Sequence, residues 1–249
     1  MRALGGNKVR RRCIGDMRVW ARYVGDELIF DHAVHGQRSL QTHFDVRNNT
    51  GQGFHDPTAG TWHDLKGGAV AALANASWGQ DGGVVFNGTT SKVSYTGFPL
   101  TGGTNEYTIL NVHKIAALTG QHPRIWAESP YPSLYLHSNN QYGYGFFGQG
   151  RDAVFPARFT PPVGTLIQAA LRFSGTTVDL FVNGRYIDSL TGVTGTIGNP
   201  NPIFLGARAA NDRTLNGAIY EHLVYNRALT DEEMVEAFAV SRVLFGIGG

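Results

Sequence analysis

Glutamates are the first residues to consider for chemistry, because glycan hydrolysis needs two carboxylates that flank the scissile bond, roughly 5–10 Å apart. The chain contains seven glutamates, and three of them lie in one predicted helix near the end of the chain. The other four are each alone in their segments: Glu27, Glu106, Glu128 and Glu221. No strand carries an acid-x-acid-x-acid pattern, and no Gly-x-Ser-x-Gly nucleophile elbow occurs. The sequence therefore predicts that the protein is not an enzyme.

Metal ligands are equally sparse. The nine histidines are scattered, and the nearest pair, His32 and His35, has no clear third ligand. Cys13 is the single cysteine, so neither an intrachain disulfide nor a zinc site with paired Cys and His ligands is expected. The residue spacing predicts no cofactor.

Sugar binding is a better match to the residue types, because exposed aromatic rings stack on sugar faces beside a few fixed polar groups. The segment "IWAESPYPSLYLHSNNQYGYGFFGQGRD" is rich in aromatic residues. Those at strand-like positions, such as Tyr135 and Tyr142, are expected largely in the core. Candidate sugar-binding residues are those at loop-like positions of this segment, namely Trp126, Tyr131, Arg151 and Asp152. Two more candidates, Arg208 and Asp212, come from the loop 208–213.

Short strands and turns must position these residues. Between about residues 37 and 225, apolar residues alternate with polar ones over short runs, and turn signals recur every 8 to 12 residues, which is typical of a β-sandwich. In "TVDLFV", for example, Val178 and Leu180 share one face, and Asn183-Gly184 then predicts a tight turn. Near the end, the capping box that begins at Thr230 predicts one helix over about 230–245.

The first 36 residues form a separate leader that repeats itself. "IGDMRVW" is followed ten residues later by "VGDELIF", and each Gly-Asp predicts a two-residue hairpin turn. Two hairpins of about three residues per strand cannot bury a core of their own, so we expect them to pair with another sheet or chain. The residues predicted to form this anchor are Ile14, Gly15, Asp16, Val19, Trp20, Val24, Gly25, Asp26, Ile29 and Phe30.

Composition excludes several classes of partner. The formal net charge is only +2 and charged residues make up 16% of the chain, so no general affinity for nucleic acid is expected. The basic run at Lys8 and 10–12 is short and lacks interleaved aromatic residues. No stretch approaches eighteen apolar residues, and residues 1–25 lack the apolar segment of a signal peptide. We therefore expect neither membrane insertion nor export.

Four ordered blocks carry a family resemblance: "HFDVRNNTGQGFHDPTAGTWHDLKGG", "VVFNGTTSKVSY", "LRFSGTTVDLFVNGRYIDS" and "PIFLGARAANDRTLNGAIYEHLVYNRALTDEEM". Together they cover about residues 39–238 and resemble the laminin-G-like, concanavalin A-like jelly-roll domains of bacterial and bacteriophage proteins. The resemblance implies an all-β jelly-roll sandwich over 37–249, with the C-terminal helix, behind the hairpin leader of residues 1–36. This fold hosts lectins, adhesion modules, hydrolases and spacers, so it does not decide function.

The same resemblance implies a structural calcium in many members, with an acidic residue in a Gly-x-Ile-Asp strand. Here that strand is Gly217-Ala218-Ile219-Tyr220, so tyrosine stands where the aspartate is expected, and Glu221 should face the opposite side. Calcium prefers six to eight oxygen ligands. The early acidic residues match no calcium-loop spacing, which argues against calcium: Asp45, Asp56 and Asp64.

The leader itself resembles the N-terminal attachment segments of bacteriophage structural proteins over about twenty residues. A virion protein also reconciles an adhesin-like domain with the missing export signal, because virions assemble in the cytoplasm and leave by lysis. The sequence thus predicts a non-enzymatic virion protein, a capsid decoration or a head or tail fibre component, anchored through its leader to other virion proteins. In this hypothesis the protein is also a homo-oligomer, for which a trimer is expected, and it displays a glycan-binding jelly roll. The alternative is a free-standing bacterial carbohydrate-binding or adhesion module.

Overall fold

The computed structural model describes residues 9–14, 17–24, 27–30, 39–97, 100, 105–119, 122–128, 133–145, 152–155, 159–193, 202–210 and 212–248. The strands, in chain order, are β1 (Val9–Ile14), β2 (Met17–Val24), β3 (Glu27–Phe30), β4 (Leu40–Asp45), β5 (Thr61–His63), β6 (Val70–Ala74), β7 (Ser77–Trp78), β8 (Val84–Asn87), β9 (Lys92–Tyr95), β10 (Glu106–Ile115), β11 (Arg124–Glu128), β12 (Ser133–Leu136), β13 (Tyr142–Gly145), β14 (Asp152–Val154), β15 (Leu166–Ser174), β16 (Thr177–Val182), β17 (Arg185–Thr191), β18 (Ile203–Leu205) and β19 (Asn216–Tyr225). A short 3₁₀ helix spans Val46–Asn48, and the α-helix α1 spans Asp231–Phe245.

Two antiparallel sheets form the predicted sandwich. Sheet I has the order β17-β16-β15-β10-β19-β8-β7. The strand β4 lies on the same side of β19 as β8, where β8 pairs with the first half of β19 and β4 with its second half. Sheet II has the order β14-β13-β12-β11-β18-β9-β6-β5. Because strands that are distant in sequence alternate within each sheet, most of the sandwich depends on long-range pairing. The prediction of an all-β sandwich with one C-terminal helix is confirmed.

Close packing between the sheets fills the core. Phe44, Trp62 and Phe86 are among the large side chains that are almost completely buried there. Gly206 follows β18 with φ +77°, and a Cβ at this position would overlap the ring of Phe86. The position therefore needs glycine for both its backbone conformation and its contact.

Polar side chains also connect the two sheets through the core. Tyr95 of sheet II hydrogen-bonds with His222 of sheet I at 2.8 Å, and Tyr142 with His113 at 2.6 Å. A third pair joins the hydroxyl oxygens of Tyr107 and Tyr144 at 2.8 Å. Burial disfavours the imidazolium, which lowers the pKa of His113 to about 4 and that of His222 to about 3. Both histidines are therefore neutral near pH 7.

The helix α1 covers the outer face of sheet I. Its N-terminus has the predicted capping box, in which the Thr230 hydroxyl accepts a hydrogen bond from the Glu233 amide and the Glu233 carboxylate accepts one from the Thr230 amide. The apolar face of the helix joins a second buried cluster, separate from the core between the sheets: Leu40, Leu110, Ala170, Phe181, Leu223, Tyr225, Leu229, Met234 and Ala237. Within the described part of the chain, no helix is long and apolar enough to cross a membrane.

The leader forms one three-stranded antiparallel sheet, β1-β2-β3, rather than two separate hairpins. Ile14 pairs with Met17 and Val24 with Glu27, so both connections have two residues. Those connecting Gly-Asp pairs lie outside the described residues. The expectation of about three residues per strand was wrong for β1 and β2, which have six and eight residues, and no turn-forming residue interrupts Met17–Val24. The ten-residue repeat is thus one eight-residue strand plus two connecting residues.

Candidate functional site

Basic and aromatic side chains lie together on the outer face of sheet II. Tyr135 stands between Leu134 and Leu136, which belong to the core, so its own side chain points away from the core. Arg124 is opposite Tyr135 in the β11–β12 register. Together with neighbouring groups they form what we call the basic–aromatic band, made of Lys92, His122, Arg124, Tyr135, His137 and Phe204.

A cation over a ring is repeated at two places in the basic–aromatic band. The Arg124 guanidinium carbon lies 4.3 Å from the Tyr135 ring centroid, and both side chains are completely buried. On the neighbouring strands, Lys92 Nζ lies 5.4 Å from the ring of Phe204. Such contacts hold a charged group and a ring in a fixed relative position, and they are stronger where water is excluded.

Two histidines extend this arrangement towards solvent. The His122 ring stacks on Tyr135 with centroids 5.9 Å apart, and His137 meets His122 edge-on at 4.8 Å. Both histidines are partly exposed. His122 has a left-handed backbone with φ +55° although it precedes Pro123, a position that normally favours extended backbone. The surrounding structure therefore holds His122 in a strained conformation.

The loop after β18 borders the basic–aromatic band. The Arg124 amide donates to the carbonyl of Arg213 at 2.9 Å, and Lys92 Nζ donates to the carbonyl of Ala209 at 3.5 Å. Arg208 forms a two-bond ion pair with Asp212, whose first bond, from Nε to Oδ1, measures 2.9 Å. The hydrogen bond from Arg208 lowers the pKa of Asp212, which keeps this carboxylate ionised.

The predicted sugar-binding residues have different outcomes. Trp126 was expected at an exposed loop position, and this is wrong: it lies in β11 opposite Leu134 and is completely buried between the sheets. Arg208 is partly exposed and Asp212 is exposed, in the loop beside the basic–aromatic band, and the two are paired with each other. Tyr131 and Arg151 lie outside the described residues, as does the side chain of Asp152, whose backbone begins β14.

Sequence reasoning missed all six residues of the basic–aromatic band: Lys92, His122, Arg124, Tyr135, His137 and Phe204. Tyr135 was expected largely in the core because it lies at a strand-like position. Arg124 was a usable signal, since an arginine inside the apolar run "RIWAE" must find partners when the strand is buried. Its pairing with Tyr135 follows only from the β11–β12 register.

The residues at the expected calcium position do not fit a divalent cation. Tyr220 points its hydroxyl at Asp81 Oδ2, at 2.5 Å, and Lys114 Nζ lies 2.7 Å from the same oxygen. Burial alone would raise the pKa of Asp81, but hydrogen bonds from Lys114 and Tyr220 outweigh it and lower the pKa. The carboxylate that remains near this strand is thus already neutralised by an ammonium group.

The other early acidic residues are also engaged. Asp45 makes a two-bond ion pair with Arg47, and Asp64 accepts hydrogen bonds from the amides of His43, Lys66 and Gly67. Asp56 accepts from the amide and hydroxyl of Thr58. These bonds stabilise loops and pair each of the three carboxylates with donors from the protein itself.

Calcium is accordingly expected to have no effect on stability. The melting temperature should be the same, within about 1 °C, in excess calcium chloride and in excess EDTA, because Lys114 already neutralises Asp81. Differential scanning calorimetry of the purified protein measures this. A rise of several degrees with calcium, absent with magnesium, would contradict the assignment.

Two carboxylates do approach each other, beneath the helix. His43 Nε2, an Asp45 carboxylate oxygen and a Glu221 carboxylate oxygen all lie within 4.8 Å of one another. Glu221 faces away from the Tyr220 side, as the alternation predicted, and it bonds with His43 at 3.2 Å and accepts from Ser241 of α1 at 2.8 Å. Both carboxylates are buried, so this group connects β4, β19 and the helix and cannot receive a glycan.

Comparisons with known proteins agree on the fold. A family model described as the concanavalin A-like lectin/glucanases superfamily matches residues 87–234. A comparison with curated protein sequences finds no significant match. Trypanosoma rangeli sialidase is similar in structure with a TM-score of 0.63 at 16% identity, covering 84% of this chain but only 34% of the sialidase.

Two smaller domains are similar over more of their own length. Domain 4 of AbnA, a GH43 extracellular arabinanase from Geobacillus stearothermophilus solved in complex with arabinotriose, has a TM-score of 0.59 at 18% identity and covers 80% of this chain and 97% of that domain. The binding domain of Paraclostridial Mosquitocidal Protein 1 has a TM-score of 0.62 at 15% identity and covers 80% of this chain and 52% of that one. At these identities the similarity establishes the fold alone.

Proposed function

The chain belongs to the concanavalin A-like lectin/glucanase superfamily, and from this premise we propose that it is a non-enzymatic bacteriophage virion protein. In this proposal it is a capsid decoration or a head or tail fibre component. Its leader anchors it to other virion proteins, and its jelly roll displays a glycan-binding surface. The observation that carries the anchoring role is the small β1-β2-β3 sheet built from the ten-residue repeat.

The size of the leader sheet supports an anchor. Its strands have six, eight and four residues, and a sheet of this size is at the lower limit of what is stable in water without further packing. Its outer strands, β1 and β3, each have an edge that β2 does not pair with. Such an edge can pair with a strand of a neighbouring chain by β-augmentation. Assembly of copies around a particle axis would make the protein a homo-oligomer, for which we propose a trimer.

The outer face of sheet II supports glycan display. Two partly exposed rings on this face, His122 and His137, are held in fixed positions by stacking, and sugar recognition uses such fixed rings. The arabinanase domain of the same fold was solved with arabinotriose, and another similar chain is a binding domain. The proposed lack of catalysis agrees with the burial of Asp45 and Glu221, whose neighbouring carboxylates lie beneath α1 and out of reach of a glycan.

The 249-residue chain with Ala21→Pro tests the anchor, and deletion of residues 1–36 extends the test. Ala21 pairs with Arg10 on β1 and with Phe30 on β3, so proline there removes a ladder hydrogen bond at the middle of the sheet. We expect the sandwich to keep its melting temperature while incorporation into particles, measured by co-sedimentation, falls by at least tenfold.

His137→Gln is the matched control, because it alters the displayed face and should incorporate normally. Normal incorporation of the Ala21→Pro and deletion variants would refute the anchor. A monomer at high concentration in light scattering would count against the homo-oligomer.

The alternative is a free-standing bacterial carbohydrate-binding or adhesion module whose leader packs on its own sandwich. The similarity to the arabinanase domain, 97% of which is covered, favours this candidate. It predicts that deletion of residues 1–36 lowers the melting temperature of the sandwich itself and leaves no particle phenotype. The same experiment therefore separates the two functions.

A further inference from the structure

We propose that the leader sheet of one copy docks on the exposed side of α1 in a second copy of this chain, and that this contact assembles the homo-oligomer. The inference rests on the proposed function and adds the two surfaces that meet. It is carried by an apolar stripe on α1, by a mostly apolar face of the leader sheet, and by the opposite charges of the two.

An apolar stripe runs along the side of α1 that faces away from sheet I. Val235, Ala239 and Val243 follow one another at intervals of four residues, so they lie on one side of the helix, and we call them the helix stripe. Val235 is 47% exposed and Val243 is 48% exposed. A surface helix normally carries polar residues on this side, so the helix stripe has the composition of a contact surface.

The β16–β17 hairpin extends the helix stripe. A Cβ at Gly184 would lie 3.2 Å from Val235 Cα, so this turn packs directly against the helix. Two residues later, Tyr186 is 52% exposed, and its ring packs edge-on against Phe181 with centroids 5.7 Å apart. The exposed apolar surface therefore continues from α1 onto the edge strand of sheet I.

Two carboxylates border the helix stripe. Glu232 and Glu236 lie on the same side of α1 as Val235 and Ala239, because they are three or four residues away. The other two carboxylates of the first turn each bond to an arginine. Within the part of the chain that the structure describes, Glu232 and Glu236 have no such ionic partner. The surface is thus apolar with an acidic border.

The leader sheet has one face that is mostly apolar. Residues directly opposite one another in the strand pairing share a face, and every second residue of a strand returns to it. This places nine residues on one face, of which two, Arg10 and Arg12, belong to the edge strand β1. The other seven are apolar: Ile14, Met17, Val19, Ala21, Tyr23, Leu28 and Phe30. An apolar face on so small a sheet requires a cover.

Charge favours contact between these two surfaces. Residues 1–36 contain seven lysines and arginines against four aspartates and glutamates, whereas residues 37–249 contain fourteen against fifteen. The leader face is apolar with a basic edge at Arg10 and Arg12, and the helix stripe is apolar with an acidic border at Glu232 and Glu236. Complementary charges of this kind select the partner and fix its register.

The cover of the helix stripe comes from a second copy. In the single chain Val235 and Val243 remain about half exposed, so their cover has to come from outside that chain. The leader joins the sandwich near α1, since the Ser39 carbonyl accepts the Asn226 amide at 2.9 Å just before the helix begins. The connection from Phe30 to Ser39 can span up to about 30 Å, which allows neighbouring copies to exchange leaders. Head-to-tail exchange of this kind closes into a ring.

Charge reversal in the 249-residue chain tests the docking, with self-association measured by analytical ultracentrifugation over a range of concentrations. Glu232→Lys with Glu236→Lys should raise the dissociation constant at least about tenfold, and Arg10→Glu with Arg12→Glu should do the same. The chain with all four substitutions should associate within about threefold of the unmodified protein, because opposite charges face each other again. Glu106→Lys makes the same charge change at an exposed position of β10 and is the control, which should associate normally.

Each outcome separates the docking from the function on which it rests. Unchanged association of both double variants, or weaker association that the fourfold variant does not restore, would overturn the docking and leave the homo-oligomer intact. A monomeric unmodified chain would overturn the docking and the homo-oligomer together. If that monomer also lost melting temperature in each double variant and regained it in the fourfold variant, the leader would cover α1 of its own chain.

Discussion

Acidification from pH 7 to pH 4 is expected to lower the free energy of unfolding by several kcal/mol, mainly through His113 and His222. Each has an ordinary pKa near 6.5 in the unfolded chain but about 4 and about 3, respectively, in the folded protein. Between pH 6.5 and 4 the unfolded chain therefore binds up to two more protons than the native state. Each proton lowers the folding equilibrium constant about tenfold per pH unit in that window. Stability from these groups is complete above pH 6.5 and lost progressively below it.

The local structure explains why the native state resists protonation. If His222 Nδ1 donates to Asn111 Oδ1, 2.9 Å away, Nε2 is left to accept from the Tyr95 hydroxyl, so both ring nitrogens of the neutral imidazole are satisfied. A second proton would place a buried cation against a hydroxyl that must then turn away. The energetic cost of burying that cation lowers the pKa of His222 in the folded protein below its pKa in the unfolded chain.

Urea unfolding at several pH values between 4 and 7.5 measures this effect. His222→Phe and His113→Phe should each flatten the pH dependence by about one proton, whatever they do to stability at pH 7. Tyr107→Phe removes the third cross-sheet hydrogen bond without a titrating group. It should lower stability by about 1 kcal/mol equally at all pH values. An unchanged slope in both histidine variants would show that other groups cause acid unfolding.

Gly206→Ala is expected to destabilise the sandwich by about 2–5 kcal/mol. A left-handed backbone costs an alanine about 1–2 kcal/mol, and overpacking against a buried ring adds a further 1–3 kcal/mol. Phe86 is almost completely buried and cannot move aside without disturbing both sheets. The loop beside the basic–aromatic band also depends on this glycine, since its amide donates to Ile125 and its carbonyl accepts from Leu215.

Gly164→Ala is a closely matched control for this substitution. Gly164 has φ +76°, against +77° for Gly206, but a Cβ there would meet no atom within 4 Å. Gly164→Ala should lower the free energy of unfolding only by the cost of a left-handed alanine. The additional loss of free energy measured for Gly206→Ala then reports the overlap with Phe86. Phe86→Leu should recover part of that excess in the double variant. Equal effects of the two alanine substitutions would mean that the close contact is absent.

Local sequence signals determined the elements of this fold. The alternation in "TVDLFV" and the Asn183-Gly184 turn correctly predicted the β16–β17 hairpin, and the capping box at Thr230 predicted the start of α1. The repeat spacing predicted two-residue connections between the leader strands, because pairing across a short turn involves neighbours in sequence. Opposite faces for Tyr220 and Glu221 followed from the two-residue period of a strand.

The site depended on contacts between distant parts of the chain, which local patterns do not encode. Trp126 and Arg124 are two residues apart, so a regular strand would place their side chains on the same face. A bulge at Ile125 and the pairing with β12 instead place the tryptophan in the core and the arginine against Tyr135. The ion pair that neutralises Asp81 likewise depends on Lys114 reaching it across a sequence separation of 33 residues. Composition and periodicity thus determined a sandwich with one capped helix and a strand-rich leader. Only the tertiary structure decided which side chains meet, because strand register and sheet order bring together residues whose separation in sequence carries no signal.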